Sequence, residues 1–453
     1  MKERDFGEEQ PYFSAGIFKI RLPFIHYRWE WPEVFQGLLL SATCLGAIPI
    51  LTGEIGLSFE LALTMVILNG LLYNLHALLG DPVVPGWITP AIPLVLGFLG
   101  DYTMGPERIK ALIALQLLLG IFFIVMAATG FAGKLIRWIP DSVKGGILLG
   151  AGLAAVTGEI ESGGRFMQFP MTIMVGGIIS YYILFSSKYK AIKSRYDFLA
   201  ILGKYGMVPG ILAALFFGGI FGELPAPDIQ WQIFVPQVDK VITEVSPFGI
   251  GFPGMDMFLA ALPMMLVVYI IAFGDFITSK GLIEEADEER QDEDIDFNPD
   301  RSNYISGIRN IIQSVTIPYP TLCGPLWAAV TAAVSERYKE GRKHMDSFFG
   351  GVGTFRWATF IAVGIYPLVT FLEPVLPVAL SLTLLVQGFV CTRIAMNYTI
   401  TNEQKGIAGV MGAVLAVKGA AWGLGIGLLL HFLVGTGEEK IEKKEDEEMK
   451  ISG

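Results

Sequence analysis

The chain has 453 residues, of which 53% are hydrophobic and 17% are charged. Soluble domains carry about 25% charged residues and a soluble core stops growing at about 250–300 residues, so this composition excludes an ordinary soluble domain. It predicts an all-α integral membrane protein. The net charge of −10 comes largely from two acidic runs, 284–300 and 438–448, which we interpret as solvated; no basic surface suggests a nucleic-acid partner.

Residues 1–33 are predicted to form a cytoplasmic N-terminal segment. The chain is polar and charged as far as Arg28 and contains no apolar stretch of the kind found in a signal peptide. We therefore expect the first membrane helix to direct insertion.

Seven apolar runs follow within residues 34–221, which we predict to be the first of two repeats. A helix needs about 20 apolar residues to cross the hydrocarbon core of a bilayer. The runs are 34–51, 57–79, 85–99, 109–128, 143–156, 171–185 and 207–221. The polar stretch 222–254 then predicts an extracytoplasmic linker.

A second set of seven runs lies within residues 255–436. They are 255–276, 304–315, 318–334, 352–371, 377–394, 406–417 and 420–434. Residues 437–453 are predicted to be a charged cytoplasmic tail. The sequence therefore predicts about 14 transmembrane segments, arranged as a repeat of seven and seven.

The placement of basic residues supports this count and gives an orientation. With a cytoplasmic N-terminus, the inner loops hold most of the loop Lys and Arg: Lys134, Arg137, Lys144, Lys188, Lys190, Lys193, Arg195, Lys204, Arg337, Lys339, Arg342, Lys343 and Lys405. Cytoplasmic loops of membrane proteins carry such an excess. We predict a multi-pass protein of the cytoplasmic membrane with both termini in the cytoplasm.

Two of the runs, 85–99 and 318–334, are short and interrupted by proline. They read VPGWITPAIPLVLGFLG and IPYPTLCGPLWAAVTAAV, and each is the third run of its half. Broken helices at matching positions are typical of inverted-repeat transporters, whose half-helix N-termini face a binding cavity with unpaired N–H groups. Two ordinary proline-kinked helices are the alternative.

Four stretches resemble the nucleobase–cation symporter-2 family of uracil and xanthine permeases. They are FQGLLLSATCLGAIPIL with Gln36, GWITPAI with Trp87 and Thr89, FGDFITSKGLI with Gly274 and Asp275, and NPDRSNYISGIRNIIQSVTIPYPT with Arg301, Gly307, Asn310 and Pro318. The resemblance implies a uracil-permease-like fold, with a core domain of segments one to four and eight to eleven and a gate domain of the others. It also implies a homodimer.

The chain departs from that family at positions that read the base. Ile271 stands where the eighth helix usually has Glu, Gly37 stands where the first helix usually has His, and the tenth segment reads Cys323-Gly324-Pro325. We predict proton- or cation-coupled uptake of a small polar solute such as a nucleobase. The alternatives are an oxyanion transporter on the same fold, which would use the half-helix N-termini, and a passive channel.

The predicted substrate-binding residues are Gln36, Trp87, Thr89, Thr321, Cys323 and Gly324. Trp87 is suited to stacking on a planar substrate or to packing in the core. The two threonines are suited to offering hydroxyls to a substrate or to capping helices. Gln36 would line the cavity or bond another helix.

Asp275 is the predicted site of the coupling ion, a proton or Na⁺. An intramembrane carboxylate commonly has such a role; the alternative is a solvated Asp at a helix end, paired with Lys280. Arg356, Arg393 and Lys418 are expected to reach the membrane interface, although either arginine would also suit an anion. The four histidines lack metal-ligand spacing, no phosphate-binding glycine loop is present, and we predict no cofactor and no enzymatic activity.

Overall fold

The computed structural model describes residues 4–131, 134, 138–193, 195–205 and 207–434. The predicted tail at 437–453 and Arg137 of the inner loops lie outside these residues.

The first half of the chain starts with short strands and continues as helices. The strands are β1 (Glu8–Glu9), β2 (Phe13–Ala15), β3 (Phe18–Ile20) and β4 (Gly86–Trp87). The helices are α1 (Trp31–Leu45), α2 (Ile48–Gly53), α3 (Phe59–Leu78), α4 (Ile92–Gly100), α5 (Pro106–Thr129), α6 (Asp141–Ile160), α7 (Arg165–Gln168), α8 (Pro170–Phe185), α9 (Ser187–Lys193), α10 (Asp197–Lys204) and α11 (Val208–Phe221). A 3₁₀ turn, Thr89–Ala91, leads into α4.

The second half also combines short strands with helices. Its strands are β5 (Glu293–Asp294) and β6 (Cys323–Gly324). Its helices are α12 (Val238–Lys240), α13 (Pro247–Ile250), α14 (Met255–Glu289), α15 (Pro299–Thr316), α16 (Ala328–Lys339), α17 (Phe348–Val363), α18 (Tyr366–Leu372), α19 (Leu376–Tyr398), α20 (Asn402–Lys418) and α21 (Ala420–Val434). A π-helical turn, Val241–Val245, and a 3₁₀ turn, Glu373–Val375, complete it.

Each of the fourteen apolar runs contains helical residues in the structure. Within the described part of the chain, six helical stretches are long and apolar enough to cross a membrane, and five further apolar helices have 10–17 residues. The chain is therefore a multi-pass helical membrane protein. The number of segments that span the bilayer stays a prediction.

The helices pack in two groups. In one group α1 and α3 pack on α17, and α5 packs on α14 and α15; in the other, α6 packs on α19 and α20, and α8 packs on α11. Gly120 and Gly307 lie where α5 crosses α15, and a Cβ on either would lie within 3 Å of the other's carbonyl oxygen, at 2.9 and 2.8 Å. Small residues allow such close approach between membrane helices, whose association relies on van der Waals packing.

The C-terminal end of the predicted segment 352–371 is wrong. The run 352–371 is not one helix, because α17 ends at Val363 and Gly364 follows. The next helix, α18, has Pro367 in its first turn and continues through the 3₁₀ turn into α19. Proline lacks the N–H that a helix interior needs, and the first turn is where it is tolerated.

The acidic run 284–300 is not a solvated loop throughout. Residues 284–289 continue α14, and β5 pairs in parallel with β1, which places Glu8 opposite Glu293. Glu293 is 2% exposed and forms a salt bridge of 3.1 Å with Arg4. Arg4, from the N-terminal segment, supplies the counter-charge that allows Glu293 to be buried.

Candidate functional site

The two proline-interrupted segments meet as an antiparallel strand pair. In the pairing of β4 with β6, Gly86 lies opposite Gly324 and Trp87 lies opposite Cys323. The pairing continues on both sides, because Ile88 N donates to the carbonyl oxygen of Thr321 at 3.2 Å and Trp327 N donates to that of Val84 at 2.6 Å. The structure therefore brings together four of the predicted site residues, and we call residues 86–88 and 321–324 the strand crossing.

Both glycines are required by the close approach of the strands. A Cβ on Gly86 would lie 2.7 Å from the carbonyl oxygen of Leu326, and one on Gly324 would lie 2.8 Å from the carbonyl carbon and oxygen of Trp87. These contacts are to backbone atoms, which cannot move aside as a flexible side chain can. Any residue other than glycine would push the two strands apart.

A helix starts immediately after each strand, and neither start is capped by a side chain. Thr89 opens the 3₁₀ turn before α4, and Trp327 precedes α16; no side chain accepts a hydrogen bond from the first N–H groups at either place. The alternative role of Thr89 and Thr321 as helix caps is therefore wrong. The Thr321 hydroxyl is buried and has no hydrogen-bond partner among the described residues.

The side chain of Trp87 packs between the strand crossing and the group of helices that contains α6 and α19. Its half-buried ring packs on a cluster with residues from α6 and α19, whose members are Ile50, Ile92, Ala155, Leu380 and Leu384. The indole Nε1 is buried and has no acceptor in the described part of the chain. A buried indole N–H usually finds a partner, so a solute at this boundary would meet a free donor.

A polar network missed by sequence reasoning holds β6 in place. Asn310 on α15 donates through Nδ2 to the carbonyl oxygen of Cys323 at 3.0 Å and accepts from Cys323 N at 3.0 Å. Gln116 on α5 accepts from Tyr319 N at 2.9 Å and donates to Gln313 Oε1 at 2.7 Å. The sequence signal was present, because Asn310 and Gln313 are three residues apart and so share one face of α15.

Two buried arginines lie in the same group of helices. Arg309 on α15 and Arg356 on α17 are both 0% exposed, so the expectation that Arg356 reaches the membrane interface is wrong. Their guanidinium carbons lie 3.8 Å and 4.2 Å from the centroid of the Tyr73 ring. The ring holds Arg356 inside the helix packing. Arg393, by contrast, is exposed on α19.

Gln36 and Asp275 are not part of the strand crossing. Gln36 is half-buried in α1 and forms no hydrogen bond with the described residues of the crossing. Asp275 is half-buried within the 35-residue helix α14 rather than at a helix end, and Lys280 pairs instead with Glu284 at 3.4 Å. Helix α14, which carries Asp275, packs on α5 and also contacts α6 of the other group of helices. Among the described residues, no group of three or more His, Cys, Asp or Glu could hold a metal ion.

No protein-family model matches the sequence, and no curated protein matches it. Solved structures do match. The transmembrane domain of a cyanobacterium bicarbonate transporter, BicA, superposes with a TM-score of 0.53 and 12% identity over 87% of this chain and 96% of that chain. The murine anion transporter Slc26a9 in the inward-facing state superposes with a TM-score of 0.50 and 12% identity over 90% of this chain and 68% of that chain. Another SLC26A9 structure superposes with a TM-score of 0.52 and 14% identity over 88% of this chain and 65% of that chain.

At these identities the comparison shows the fold alone. It confirms the predicted fold class, an all-α membrane protein built from inverted repeats. The resemblance to nucleobase–cation symporter-2 proteins gains no support beyond that shared architecture. The chain has the fold of the BicA and SLC26A9 membrane transporters.

Proposed function

We propose that the chain is a secondary transporter for a small oxyanion, which binds at the strand crossing between Trp87–Thr89 and Thr321–Pro325. One observation carries the proposal: an uncharged strand pair from which two uncapped helices begin. The N-terminus of a helix bears a partial positive charge and free N–H groups, so it binds anions without a basic side chain.

An oxyanion fits this site better than a nucleobase does. Reading the edge of a base takes hydrogen-bonding side chains, yet the paired strands present Trp87, Cys323 and two glycines. The free indole N–H of Trp87 and the free hydroxyl of Thr321 are donors suited to oxygen atoms. BicA is described as a bicarbonate transporter and Slc26a9 as an anion transporter, which favours the alternative over uptake of nucleobases.

The mechanism that we propose moves the core domain against the gate domain. The ring of Trp87 packs on the cluster that contains Ala155 of α6 and Leu380 and Leu384 of α19, and this packing would open when a solute enters or leaves. Asp275 lies on α14, which contacts helices of both groups. A proton or Na⁺ on this carboxylate would link the ion gradient to that movement.

Uptake into proteoliposomes tests the proposal. We would supply labelled bicarbonate, sulfate, uracil and xanthine, with and without an inward proton or Na⁺ gradient. We expect saturable, gradient-stimulated uptake of an oxyanion and no uptake of the bases. Accumulation of a base would overturn the oxyanion assignment, and non-saturable flux that never exceeds equilibrium would show a passive channel.

Thr321→Val removes the unpartnered hydroxyl and nearly preserves the side-chain volume, so it probes the site without changing the packing. We expect a KM for the oxyanion raised about tenfold, equivalent to about 1.4 kcal/mol. Thr278→Val is the control, because the Thr278 hydroxyl is exposed and bonds only the Gly274 carbonyl of its own helix.

A further inference from the structure

The two buried arginines carry more hydrogen-bond donors than their surroundings satisfy. Arg309 donates from Nη2 to Asn69 Oδ1 at 3.3 Å, but its Nε and Nη1 have no acceptor among the described residues. Arg356 has no acceptor there for Nε, Nη1 or Nη2. The thiol of Cys44, a weak acceptor, lies beside Arg356.

Within the described part of the chain, neither arginine forms a salt bridge with a carboxylate. Asp81, a buried carboxylate shortly after α3, contacts His76 Nδ1 at 2.8 Å and accepts from the Ser302 hydroxyl at 2.6 Å, both through Oδ2, and its Oδ1 has no partner among the described residues. Arginine stays protonated in proteins, so two positive charges share the Tyr73 ring. The faces of Tyr73 and Trp327 attract guanidinium groups but bear no net charge. Buried charges are normally paired.

We infer that Arg309 and Arg356 bind a small inorganic anion inside the core domain, beside the Tyr73 ring. The planar guanidinium group donates in a fork that matches oxygen atoms or a halide. An anion there would accept from the free nitrogens of both arginines and would offset the repulsion between them. The ligand class is a small monovalent anion such as chloride or nitrate.

This anion site lies beside the proposed transport site but uses different side chains. Its arginines come from α15 and α17 and pack on α3, whereas Trp87 packs on α6 and α19. The Arg356 guanidinium carbon nevertheless lies 5.2 Å from the ring centroid of Trp327, which precedes α16. A bound anion would therefore lower the positive potential beside the strand crossing without occupying it. The inference holds whether the transported solute is charged or neutral.

Thermal unfolding of the purified full-length chain tests this inference. We would start in sodium gluconate and replace gluconate by chloride or nitrate at constant sodium concentration. We expect a saturable rise of the unfolding midpoint, on the order of a few °C, because a ligand that binds only the folded state stabilises it. A midpoint that is the same in all three salts overturns the inference.

Two variants locate the effect. In Arg309→Met/Arg356→Met we expect the rise to be lost and the midpoint in gluconate to equal or exceed that of the wild type, because the unpaired charges are gone. A merely structural stacking role predicts a lower midpoint in every salt. Arg393→Gln, on the exposed arginine of α19, should keep the full rise. A rise that survives in the double variant would place the anion elsewhere and overturn the assignment.

Anion content gives a second readout that does not depend on unfolding. After gel filtration in gluconate, we expect chloride loaded on the wild type to be retained at about one per chain and to be absent from Arg356→Met. Uptake measured on the same preparations separates the two proposals. Retained chloride without oxyanion uptake would leave the anion site standing and overturn only the transport proposal.

Discussion

At the scale of single residues, the strand crossing depends on two glycines that face each other. Gly86 and Gly324 have ordinary backbone angles, so they are required by close approach and not by conformation. In Gly324→Ala the new methyl group would lie 2.8 Å from the Trp87 carbonyl. We expect a loss of about 1–3 kcal/mol of stability and at least a tenfold loss of oxyanion uptake, measured in proteoliposomes.

Gly97→Ala is the matched control for this prediction. Gly97 lies within α4, and a Cβ there meets nothing within 4 Å. Alanine is the better helix former by about 1 kcal/mol, so the control should unfold at an equal or higher temperature and transport normally. Equal behaviour of the two variants would contradict the steric argument.

A second prediction at the residue scale concerns Asn310. Its side-chain amide pairs with both backbone groups of Cys323, in the manner of one peptide with another. Asn310→Ala leaves these two buried groups unpaired, at a cost of about 1–3 kcal/mol each. We expect a lower unfolding midpoint and lost uptake. Asn402→Ala, at the exposed first turn of α20, should change neither.

A third prediction concerns the role of Asp275 in ion coupling. This residue is the only acidic residue between Asp256 and Glu284 in α14. If this carboxylate carries the coupling ion, Asp275→Asn should abolish the stimulation of uptake by an inward gradient while exchange without a gradient continues. Asp256→Asn, at the exposed start of the same helix, should keep the stimulation. Stimulation that persists in Asp275→Asn would remove the coupling role.

Some residues at and around the strand crossing could be predicted from the sequence, and others became evident only from the folded structure. Trp87, Cys323 and Gly324 were predictable because proline and glycine interrupt apolar runs at matching positions. Arg309 and Gln116 were not, since their roles depend on partners about 200 residues away in the chain, such as Asn69 and Tyr319. Gly37 belongs to neither class: a Cβ there would meet the Phe355 carbonyl oxygen at 2.9 Å, so no larger residue fits between α1 and α17.

At the scale of elements, the N-terminal segment joins the ends of helices distant in sequence. Strand β1 pairs with β5, Arg4 binds Glu293, and Glu293 accepts a hydrogen bond of 3.0 Å from the first N–H of α17, that of Phe348. A carboxylate is favourable at a helix N-terminus. The segment therefore ties the loop after α14 to the start of α17, which the polar composition of residues 1–33 did not predict.

This contact gives stability a pH dependence of defined sign. Burial raises the pKa of Glu293 from 4.5 to about 7, although the Arg4 charge and the Phe348 N–H act in the opposite direction. The folded state therefore holds a proton that the unfolded state has lost, so stability falls as the pH rises from about 4.5 to about 7. We expect the unfolding temperature of the wild type to decrease as the pH is raised from about 5 to about 8.

Glu293→Gln removes this titration. The decrease in unfolding temperature over this pH range should therefore be smaller in the variant than in the wild type, by on the order of a few °C. Asp294→Asn, on the exposed neighbour in β5, should leave the slope as it is. Curves of wild type and Glu293→Gln that run parallel over this range would contradict the assignment of the slope to Glu293.

Element boundaries show the limit of the composition argument. Apolar runs located every long helix, because about 20 apolar residues are what a bilayer selects for. They misplaced the end of α17, since an apolar run continues across Gly364 and Pro367 although the helix does not. They also ended α14 at residue 276, whereas the charged turns to Glu289 remain helical.

At the scale of the whole molecule, a membrane orientation follows from charge and is open to direct test. The inner loops are predicted to hold most of the loop Lys and Arg, and the segment 222–254 to lie outside the cell. Within that segment Glu244 is exposed; Glu340, which follows α16, is also exposed and is predicted to lie on the opposite side. A cysteine at each position would report which compartment it faces.

In intact cells a membrane-impermeant maleimide should label Glu244→Cys, and should label Glu340→Cys only after the membrane is made permeable. The native Cys323 and Cys391 are buried and Cys44 is half-buried, so the wild type gives the background. The reverse pattern would invert the topology, and with it the side from which the proposed oxyanion enters. Labelling of both positions in intact cells would mean that the number of crossings between residues 244 and 340 is even rather than odd, and that the second repeat lacks one of its predicted spans.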